Sequence, residues 1–525
     1  MGACLKHGEI SVGLIYPNSY FTGMSNLGFQ TVYGQLNRIR DVSCQRIFLS
    51  EFPRSLERET LLSDFQILAF SISFELDYLN VLRILHSAGI PLRSAQRGQV
   101  HPLIIAGGFA SSVNPEPLAE FVDIFLIGEG EELLDDFINS YKALRKELGR
   151  VELLRELAQI EGVYIPSLKE KRAVKRRWLE NLDDFDTASS VVTPNTAFGD
   201  MFMIELTRGC PRRCLFCLAG SVCKPFRSRS FEKVLRLAGK GLRIRNRVGL
   251  VSLEIASYPY LDEVVTGIFD MGGTVSLSSL RPGRAGDGVI RALKGSGQKT
   301  IAIAPEAGSE RLRRIINKDI HDEEIFAQIE AVTAAGVEHI RLYFLIGLPT
   351  ETDSDIEALL EFVINVRKIA GRFSRRSPRI TVSVNPFVPK PATPFQWARM
   401  EKGNVLSSRL KMISKEFDKV GGIDLIHESV RRSLFQGVLA RGDRKVGRVI
   451  EKASETGDWR KAFREVGVDP AFYLERERAE EEIFPWDRII QGCDKHLLYG
   501  AYKKAISIPD SLCKIDGRIS GLSLL

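Results

Sequence analysis

Residues 210–217 read CPRRCLFC and place three cysteines at the spacing C-x-x-x-C-x-x-C. Thiolates are the usual ligands of iron–sulfur clusters, so Cys210, Cys214 and Cys217 can each bind one corner of a [4Fe–4S] cubane. Three ligands leave the fourth iron of such a cluster open to a further ligand. The apolar residues 201–206 read as a strand that leads into the motif, and barrel enzymes present their sites at the C-terminal ends of such strands.

Cys223 follows six residues after the motif and leaves a four-cysteine zinc site open as an alternative. Zinc sites of that kind usually pair two C-x-x-C units across a longer gap, which differs from this spacing. With the aromatic Phe216 before its third cysteine, the motif resembles that of the radical SAM superfamily. The resemblance implies a [4Fe–4S] cluster on Cys210, Cys214 and Cys217, with S-adenosylmethionine (SAM) on the open iron and Phe216 beside it.

Composition narrows the class of protein. The chain has 525 residues, enough for two or three domains, and its 44% hydrophobic and 26% charged residues are ordinary for a globular protein. The formal charge of +7 permits an anionic substrate but does not indicate nucleic acid. Eight cysteines are too few for a disulfide framework. No apolar run approaches the roughly 18 residues of a membrane span, and no secretion signal is present, so we expect a cytoplasmic protein without a membrane partner.

Short apolar runs alternate with helical patterns over the first part of the chain, which ends in a polar linker. This alternation is typical of a parallel sheet covered on both faces, so we predict a doubly wound α/β domain for residues 1–190. Gly107, Gly108, Gly128 and Gly130 follow two of the strands, where they either admit a ligand to the carboxyl edge of the sheet or only close tight turns. The strand candidates are residues 10–17, 43–49, 66–73, 102–108 and 122–132.

The stretch 107–132, GGFASSVNPEPLAEFVDIFLIGEGEE, resembles the corresponding part of the cobalamin-binding domains that precede some radical SAM barrels. The resemblance implies cobalamin as a further cofactor, held near the four glycines. The loop 16–24, YPNSYFTGM, lacks the axial-histidine motif D-x-H-x-x-G of that family. We therefore expect that cobalamin either binds without a protein imidazole on cobalt or is no longer bound.

Strand and helix patterns repeat after the cysteine motif. Counting 201–206, six strands alternate with helices and predict a partial (β/α)6 barrel, the radical SAM core, for residues 191–400. Such a barrel is open on one side and leaves a lateral mouth for a large substrate. The other strand candidates are residues 248–254, 274–280, 299–306, 338–347 and 379–387.

Polar residues and one glycine at the ends of these strands are candidate SAM contacts. Glu254 and Ser257 end the second strand, where the superfamily holds the SAM amino group, although the common Gly-Gly-Glu triplet is absent. Arg281, after the third strand, could pair with the SAM carboxylate in a bidentate fork. Glu306, after the fourth, could accept from ribose hydroxyls, and Gly347, after the fifth, leaves room for adenine. Ser278 and Ser309 complete the set.

Residues 401–525 lose the strand pattern and read as amphipathic helices, so we predict a mostly helical C-terminal region. This tail, including DRKVGRVIEKA and PWDRIIQG, resembles the C-terminal part of a radical SAM branch with an N-terminal B12-binding-like domain. Members of that branch often have extra cysteines near the end. This chain has only Cys493 and Cys513 there, which disfavours a second cluster.

The resemblance implies an enzyme that uses its cluster to cleave SAM reductively to a 5′-deoxyadenosyl radical, which abstracts hydrogen from a substrate that the sequence does not identify. No catalytic side chain is implied beyond the ligands of the cluster and SAM, because the cofactors carry the chemistry. An electron donor such as a flavodoxin or a ferredoxin is the expected partner. A bound cobalamin would add methyl transfer to an unreactive carbon or phosphorus.

Two other functions stay open at the level of sequence. An RNA-modifying methylthiotransferase would use three further cysteines in its N-terminal domain, where this chain has only Cys4 and Cys44. A non-enzymatic iron–sulfur electron-transfer protein would need neither a six-stranded barrel nor an open iron. A measurement of SAM turnover separates the enzymes from the electron-transfer protein.

Overall fold

The computed structural model describes residues 2–168, 172–277, 280–281, 287–372 and 378–508. Ser278, one of the predicted SAM contacts, lies outside these residues, as does Cys513. The chain divides into two compact units, and the predicted domain limits at residues 190 and 400 stay a prediction. The first unit contains Met1–Met203, Val438–Tyr473 and Ile483–Gly492, and the second contains Ile204–Gly437, Leu474–Glu482 and Cys493–Leu525.

The N-terminal elements form the predicted alternation of strands and helices. In chain order they are β1 (Ile10–Tyr16), α1 (Tyr20–Met24), α2 (Leu27–Arg38), β2 (Val42–Phe48), β3 (Ile67–Ser71), α3 (Tyr78–Ser87), β4 (Leu103–Gly107), α4 (Phe109–Val113), β5 (Ile124–Leu126), α5 (Gly130–Leu144), α6 (Arg150–Leu157), β6 (Val163–Tyr164) and β7 (Val174–Lys175).

Six of these strands form one sheet in the order β2-β1-β3-β4-β5-β6. The first five are parallel, and β6 is antiparallel at the edge. Buried residues run almost without a break along β1 and β2, because helices cover both faces of the sheet. The chain leaves β1 toward β2 on one side and returns to β3 on the other. A topological switch point therefore lies between β1 and β3, where sheets of this type bind ligands.

The second unit begins at Ile204, within the strand that leads into the cysteine motif. Its elements are β8 (Phe202–Glu205), β9 (Thr207–Arg208), α7 (Leu218–Val222), β10 (Arg227–Ser228), α8 (Phe231–Leu242), β11 (Arg247–Val251), α9 (Leu261–Asp270), β12 (Thr274–Leu277), α10 (Asp287–Gly295), β13 (Thr300–Glu306), α11 (Glu310–Ile315), α12 (Asp322–Ala334), β14 (His339–Ile346), α13 (Asp353–Arg372), β15 (Arg379–Pro386), α14 (Gly403–Val420), β16 (Ile423–Ile426) and α15 (Val430–Arg441).

All six predicted barrel strands are present. They lie in two groups, β12-β11-β8 and β13-β14-β15-β16, which a parallel bridge between Leu280 and Ile303 connects. Along β14, alternate residues are fully buried, and Phe344 of this set packs on Phe362 of α13. The residues between them are more exposed and face the inside of the barrel, because side chains alternate across a strand. The seventh strand, β16, lies in the region predicted to be mostly helical.

The C-terminal elements are α16 (Arg444–Thr456), α17 (Trp459–Val466), α18 (Pro470–Leu474), β17 (Ile489–Ile490) and α19 (Lys495–Ile506). In the first unit, α16 packs against α3, and Arg444 forms an ion pair with Glu116 at 2.7 Å. The short strand β17 pairs with β7. In the second unit, α19 packs on a 3-10 turn at Pro394–Trp397. No helix in the described part of the chain is long and apolar enough to cross a membrane.

Candidate iron–sulfur and SAM site

The cysteine loop, residues 209–226, starts and ends in a two-stranded ribbon. The ribbon is formed by β9 and β10, which pair antiparallel directly after β8. Gly209 has a φ of 82°, and a Cβ atom there would lie 2.4 Å from the carbonyl oxygen of Cys223. Only glycine fits this position without a shift of the backbone, because the chain returns over it. The loop is therefore closed at its base immediately before Cys210.

Glu205 anchors this base with two arginines. Its carboxylate accepts from Arg208 at 3.0 and 2.8 Å and from Arg229 at 3.1 Å. Arg229 is fully buried and also donates to the carbonyl oxygen of Glu205 at 2.9 Å. Removing one partner of a buried charge pair leaves an uncompensated charge and costs about 3–5 kcal/mol. We infer that Glu205 fixes the direction in which the loop leaves the barrel.

The three predicted ligands lie together in the cysteine loop, but the described residues do not form a preassembled metal-binding group of three or more side chains. Burial raises the pKa of all three thiols, that of Cys217 to about 11, and the three groups interact with one another electrostatically. Lys318 and Arg281 act on Cys214 with positive charge. The Sγ atom of Cys217 accepts from the N–H of Gly220 at 3.3 Å. A bound metal deprotonates a coordinating thiol outright, so a thiolate-ligated cluster fits this donor set and its cationic neighbours.

Glu254 lies against the cysteine loop. Its carboxylate accepts from Arg212 at 2.7 and 3.3 Å and from the Ser257 hydroxyl at 2.9 Å. Burial would raise the pKa of Glu254, but the hydrogen bonds from Arg212 and Ser257 hold it below its ordinary value. Glu254 therefore stays ionised and holds Arg212, which lies between the first two cysteines. Contact of Glu254 and Ser257 with SAM stays a prediction.

A turn after α11 supports the loop from a second side. The carbonyl of Ile316 accepts from the N–H of Leu215 at 3.0 Å, and the Asn317 side chain donates to the carbonyl of Arg213 at 2.7 Å. Asn317 has a φ of 54°, a left-handed conformation that asparagine tolerates better than most residues. The next residue, Lys318, pairs with Glu306 at 3.0 Å. Sequence reasoning missed this turn, although an asparagine just after a helix is a signal for such a conformation.

Two more predicted SAM contacts already have partners within the protein. Ser309 accepts from the N–H of Leu312 at 3.2 Å as the N-cap of α11 and donates to Asp355. Glu306 has a φ of 70° and is paired with Lys318. Their predicted contacts with SAM are not tested by these bonds, because a side chain can hold a neighbour and a ligand together.

The loop after β14 contains Gly347, which has a φ of 79°. The N–H groups of Gly347 and Leu348 donate to Glu351 at 2.8 and 3.1 Å, and Arg409 pairs with the same carboxylate at 2.8 Å. Burial raises the pKa of Glu351 to about 7, against the pull of these donors. Glu351 thus holds the Gly347 backbone at the carboxyl end of a barrel strand. Gly347 lies at the strand end where the sequence predicts the adenine contact. The contact itself stays a prediction.

The four glycines predicted to contact cobalamin differ in the space beside them, and their contact with cobalamin stays a prediction. A Cβ atom on Gly108 would lie 2.7 Å from the backbone of Ile72, and one on Gly128 would lie 2.1 Å from the carbonyl of Arg177. Both have a positive φ, of 100° and 123°. The chain itself therefore occupies the space beside these two glycines. Beside Gly107 and Gly130 the nearest atoms belong to Leu126 and Leu134, at 3.8 and 3.3 Å.

Exposed aromatic side chains lie at the same edge of the sheet. Phe21, Phe52 and Phe74 follow β1, β2 and β3, three neighbouring strands, and are 52%, 77% and 41% exposed. Such apolar exposure at the carboxyl edge marks a surface that can receive a ligand or a partner. Sequence reasoning missed these residues, because exposure depends on how the loops fold.

Comparison with known proteins identifies the class. Residues 204–363 match the model of the radical SAM superfamily, and residues 28–166 match that of the N-terminal region of radical SAM proteins. An uncharacterised protein of Methanocaldococcus jannaschii is 33% identical over 447 residues, which cover 84% of this chain and 90% of that protein. The chain therefore belongs to the radical SAM superfamily. It is an enzyme of the radical SAM class.

Two further relatives place the fold. The cobalamin-dependent radical SAM enzyme OxsB, solved with aqua-cobalamin bound, superposes with a TM-score of 0.51 at 16% identity, over 85% of this chain and 66% of that chain. This likeness confirms the predicted fold class, an N-terminal B12-binding-like domain with a radical SAM barrel. The ribosomal protein uS12 methylthiotransferase RimO of Pelotomaculum thermopropionicum is 24% identical over 292 residues, and the match spans 59% of its length.

We expect Glu254→Gln to weaken the hold on the cysteine loop. The neutral amide loses the charge-assisted bond to Arg212, which should cost about 1.5–3 kcal/mol. After anaerobic reconstitution, the rate at which a chelator removes iron should rise roughly tenfold or more. Glu263→Gln, an exposed residue in the first turn of α9, is the matched control. Equal rates of iron loss in the two variants would show that Glu254 does not support the loop.

Proposed function

We propose that this enzyme holds a [4Fe–4S] cluster on Cys210, Cys214 and Cys217 and cleaves SAM reductively to a 5′-deoxyadenosyl radical that acts on a further substrate. The observation that carries the proposal is the electrostatic interaction of the three thiols within one loop, with the charges of Arg281 and Lys318 acting on Cys214. When bound, the cluster supplies one electron to the sulfonium of SAM, whose C–S bond breaks to give methionine and the radical.

In this reaction, the side chains of the protein bind and orient SAM. Arg281 is half-buried beside Cys214, at the end of a barrel strand, and suits the carboxylate of SAM. Glu306 lies at the end of the next strand and is held by Lys318. Glu351 keeps the Gly347 backbone in place at the end of β14. Arg281 and Glu306 both act electrostatically on Cys214, and together with the Gly347 backbone they would position SAM for electron transfer.

The test is SAM cleavage by the reconstituted protein under strong anaerobic reduction. We expect 5′-deoxyadenosine to form slowly even without the further substrate. Arg281→Ala should weaken SAM binding by about 1.5–3 kcal/mol, or roughly 10- to 100-fold in Kd, because one charged hydrogen bond is lost. Arg291→Ala, on α10, is the matched control. Formation of S-adenosylhomocysteine without any 5′-deoxyadenosine would contradict the proposed chemistry.

Cobalamin-dependent methyl transfer is a second candidate, and the fold shared with OxsB supports it. Backbone atoms lie where a Cβ atom on Gly108 or Gly128 would be, so only glycine fits these two positions at the carboxyl edge of the sheet. If cobalamin binds, the exposed Phe21, Phe52 and Phe74 are the apolar groups that the carboxyl edge of the sheet offers to its ring.

We expect hydroxocobalamin reconstitution to give no complex with a protein imidazole on cobalt. The loop after β1 contains no histidine, and Tyr16, Asn18 and Tyr20 are poor ligands for this metal. Paramagnetic resonance of the cob(II)alamin form measures the ligand directly through its nitrogen coupling. A resolved coupling to a protein imidazole would overturn this prediction, and free hydroxocobalamin under the same reduction is the control.

The methylthiotransferase alternative is supported by the similarity to RimO, whose name assigns it a ribosomal protein as substrate. The first 200 residues of this chain hold only Cys4 and Cys44. Cys44 is buried in the core of the first unit, and burial raises its pKa well above the ordinary value. A second cluster bound by three N-terminal thiolates therefore lacks ligands. Reconstitution should give about four iron atoms per chain, whereas about eight would favour the methylthiotransferase.

A further inference from the structure

The segment 208–229, which contains the cysteine loop, carries six cationic side chains and no carboxylate. Five of the six are arginines, so this short segment has a formal charge of +6. Their contacts in the second unit distinguish the side chains that support the loop from those that face solvent. The six residues are Arg208, Arg212, Arg213, Lys224, Arg227 and Arg229.

Four of these arginines turn toward the protein. Arg208 and Arg229 bind Glu205, and Arg212 binds Glu254. Arg227 is buried and donates to the carbonyl oxygen of Pro225 at 3.0 Å. Each of these side chains is used to fix the shape of the loop. Because each of these guanidinium groups is bonded within the protein, the four arginines offer little positive charge to an approaching macromolecule.

Arg213 differs from them. It lies directly before the ligand Cys214, and its side chain is exposed. Within the described residues its guanidinium makes no ion pair, while its carbonyl is fixed by the side chain of Asn317 at 2.7 Å. The main chain of Arg213 is therefore held in place, and its side chain is exposed to solvent.

The surface next to Arg213 adds a second cation. Arg314, on α11, precedes the turn that holds the loop, and its nearest carboxylates are Glu310 at 3.9 Å and Asp319 at 3.7 Å. Both pairs are long, but the Arg314 side chain is only 21% exposed and shares its charge with two carboxylates. Arg213 therefore supplies the exposed positive charge on the outward face of the cysteine loop, directly before Cys214 in the chain.

We propose that an acidic one-electron carrier protein docks on this face and reduces the cluster through the Arg213 side of the loop. This proposal rests on the proposed function, in which each SAM cleavage consumes one electron. In the docking step the reduced carrier loses one electron and the oxidised cluster gains it, and no bond or proton is exchanged. A positive face that meets a negative partner speeds the encounter and weakens with salt, because such steering is electrostatic.

Reduction by a flavodoxin tests the docking face. Anaerobic stopped-flow mixing of the reconstituted full-length protein with reduced flavodoxin follows the loss of the cluster's visible absorbance. We expect Arg213→Glu to lower the second-order rate constant at low salt about tenfold or more and to weaken its dependence on salt. Arg243→Glu, an exposed arginine at the end of α8, makes the same change in net charge away from the loop and should have little effect.

Two further measurements separate docking from damage to the site. Binding of oxidised flavodoxin, followed by its flavin fluorescence, should weaken in Arg213→Glu and recover in Arg213→Lys. Reduced methyl viologen, a small cation, should reduce the cluster of Arg213→Glu as fast as that of the wild type. If Arg213→Glu retains no cluster, Arg213→Gln takes its place, and a smaller fall in the flavodoxin rate is expected.

The proposal is wrong if flavodoxin reduces the Arg213 variant and the Arg243 control at the same rate, or if the wild-type rate is independent of salt. A fall with methyl viologen equal to that with flavodoxin would also overturn it, because the variant would then have damaged the cluster. These results are distinct from failure of the proposed function. In that case the cluster is reduced normally but no 5′-deoxyadenosine forms from SAM.

Discussion

Replacing Cys210, Cys214 and Cys217 together by alanine is expected to remove the iron and abolish 5′-deoxyadenosine formation. The three thiols lie in one loop and interact with one another electrostatically, and the described residues contain no group of three or more cysteine, histidine, aspartate or glutamate side chains already arranged to hold a metal ion. Without thiolates, the loop offers no ligand of the type that binds iron–sulfur clusters. Iron content and the broad visible absorbance after anaerobic reconstitution measure the loss.

Cys223→Ala is the matched control, because it also removes one thiol from the cysteine loop. The Cys223 side chain is half-exposed, and the residue follows α7, outside the C-x-x-x-C-x-x-C motif. We expect this variant to retain the cluster and its iron. Loss of iron in Cys223→Ala would favour the four-cysteine site, and stoichiometric iron in the triple variant would show that the ligands lie elsewhere.

The strands of both units could be predicted from the sequence because the signal for them is local. The run ISVGLIY becomes β1 almost residue for residue, and HIRLYFLI becomes β14 within the predicted 338–347. β-Branched and aromatic residues in short apolar runs favour a strand before any tertiary contact forms. The cysteine motif was found for the same reason, since its three ligands lie within eight residues.

The partners of the polar residues could not be predicted, because they come from distant parts of the chain. Glu254 is 42 residues from Arg212, and Ser309 is 46 residues from Asp355. A carboxylate at the end of a barrel strand is compatible with a ligand and with a neighbouring loop, and only packing decides between them. The sequence therefore indicated the strand end correctly and could not show that Arg212 already occupies Glu254.

The C-terminal region shows a similar limit. Its helices were predicted from their amphipathic pattern, and α16 and α19 are present. The pattern shows that a helix has an apolar face but does not identify the surface that covers it. In the structure α16 belongs to the first unit and α19 to the second. Cys493, just before α19, donates to the carbonyl of Ser221 at 3.1 Å, so this part of the tail contacts the end of the cysteine loop.

Gly209→Ala should prevent cluster assembly without removing any ligand. An alanine at a φ of 82° costs about 1–2 kcal/mol in backbone strain alone. Its Cβ atom would in addition meet the carbonyl oxygen of Cys223 at 2.4 Å, a contact that only movement of the backbone can relieve. Because Gly209 adjoins Cys210 and closes the base of the loop, that movement displaces the first ligand from the other two.

Iron content and visible absorbance after reconstitution measure this effect, and circular dichroism shows whether the rest of the chain is folded. Gly239→Ala is the matched control, since this glycine lies within α8 and a Cβ atom there meets only the Met271 sulfur at 3.8 Å. Alanine should stabilise that helix by up to about 1 kcal/mol and leave the cluster intact. A folded Gly209→Ala protein with full iron content would show that the closed base does not control the position of Cys210, and that the ligand spacing alone is sufficient for assembly.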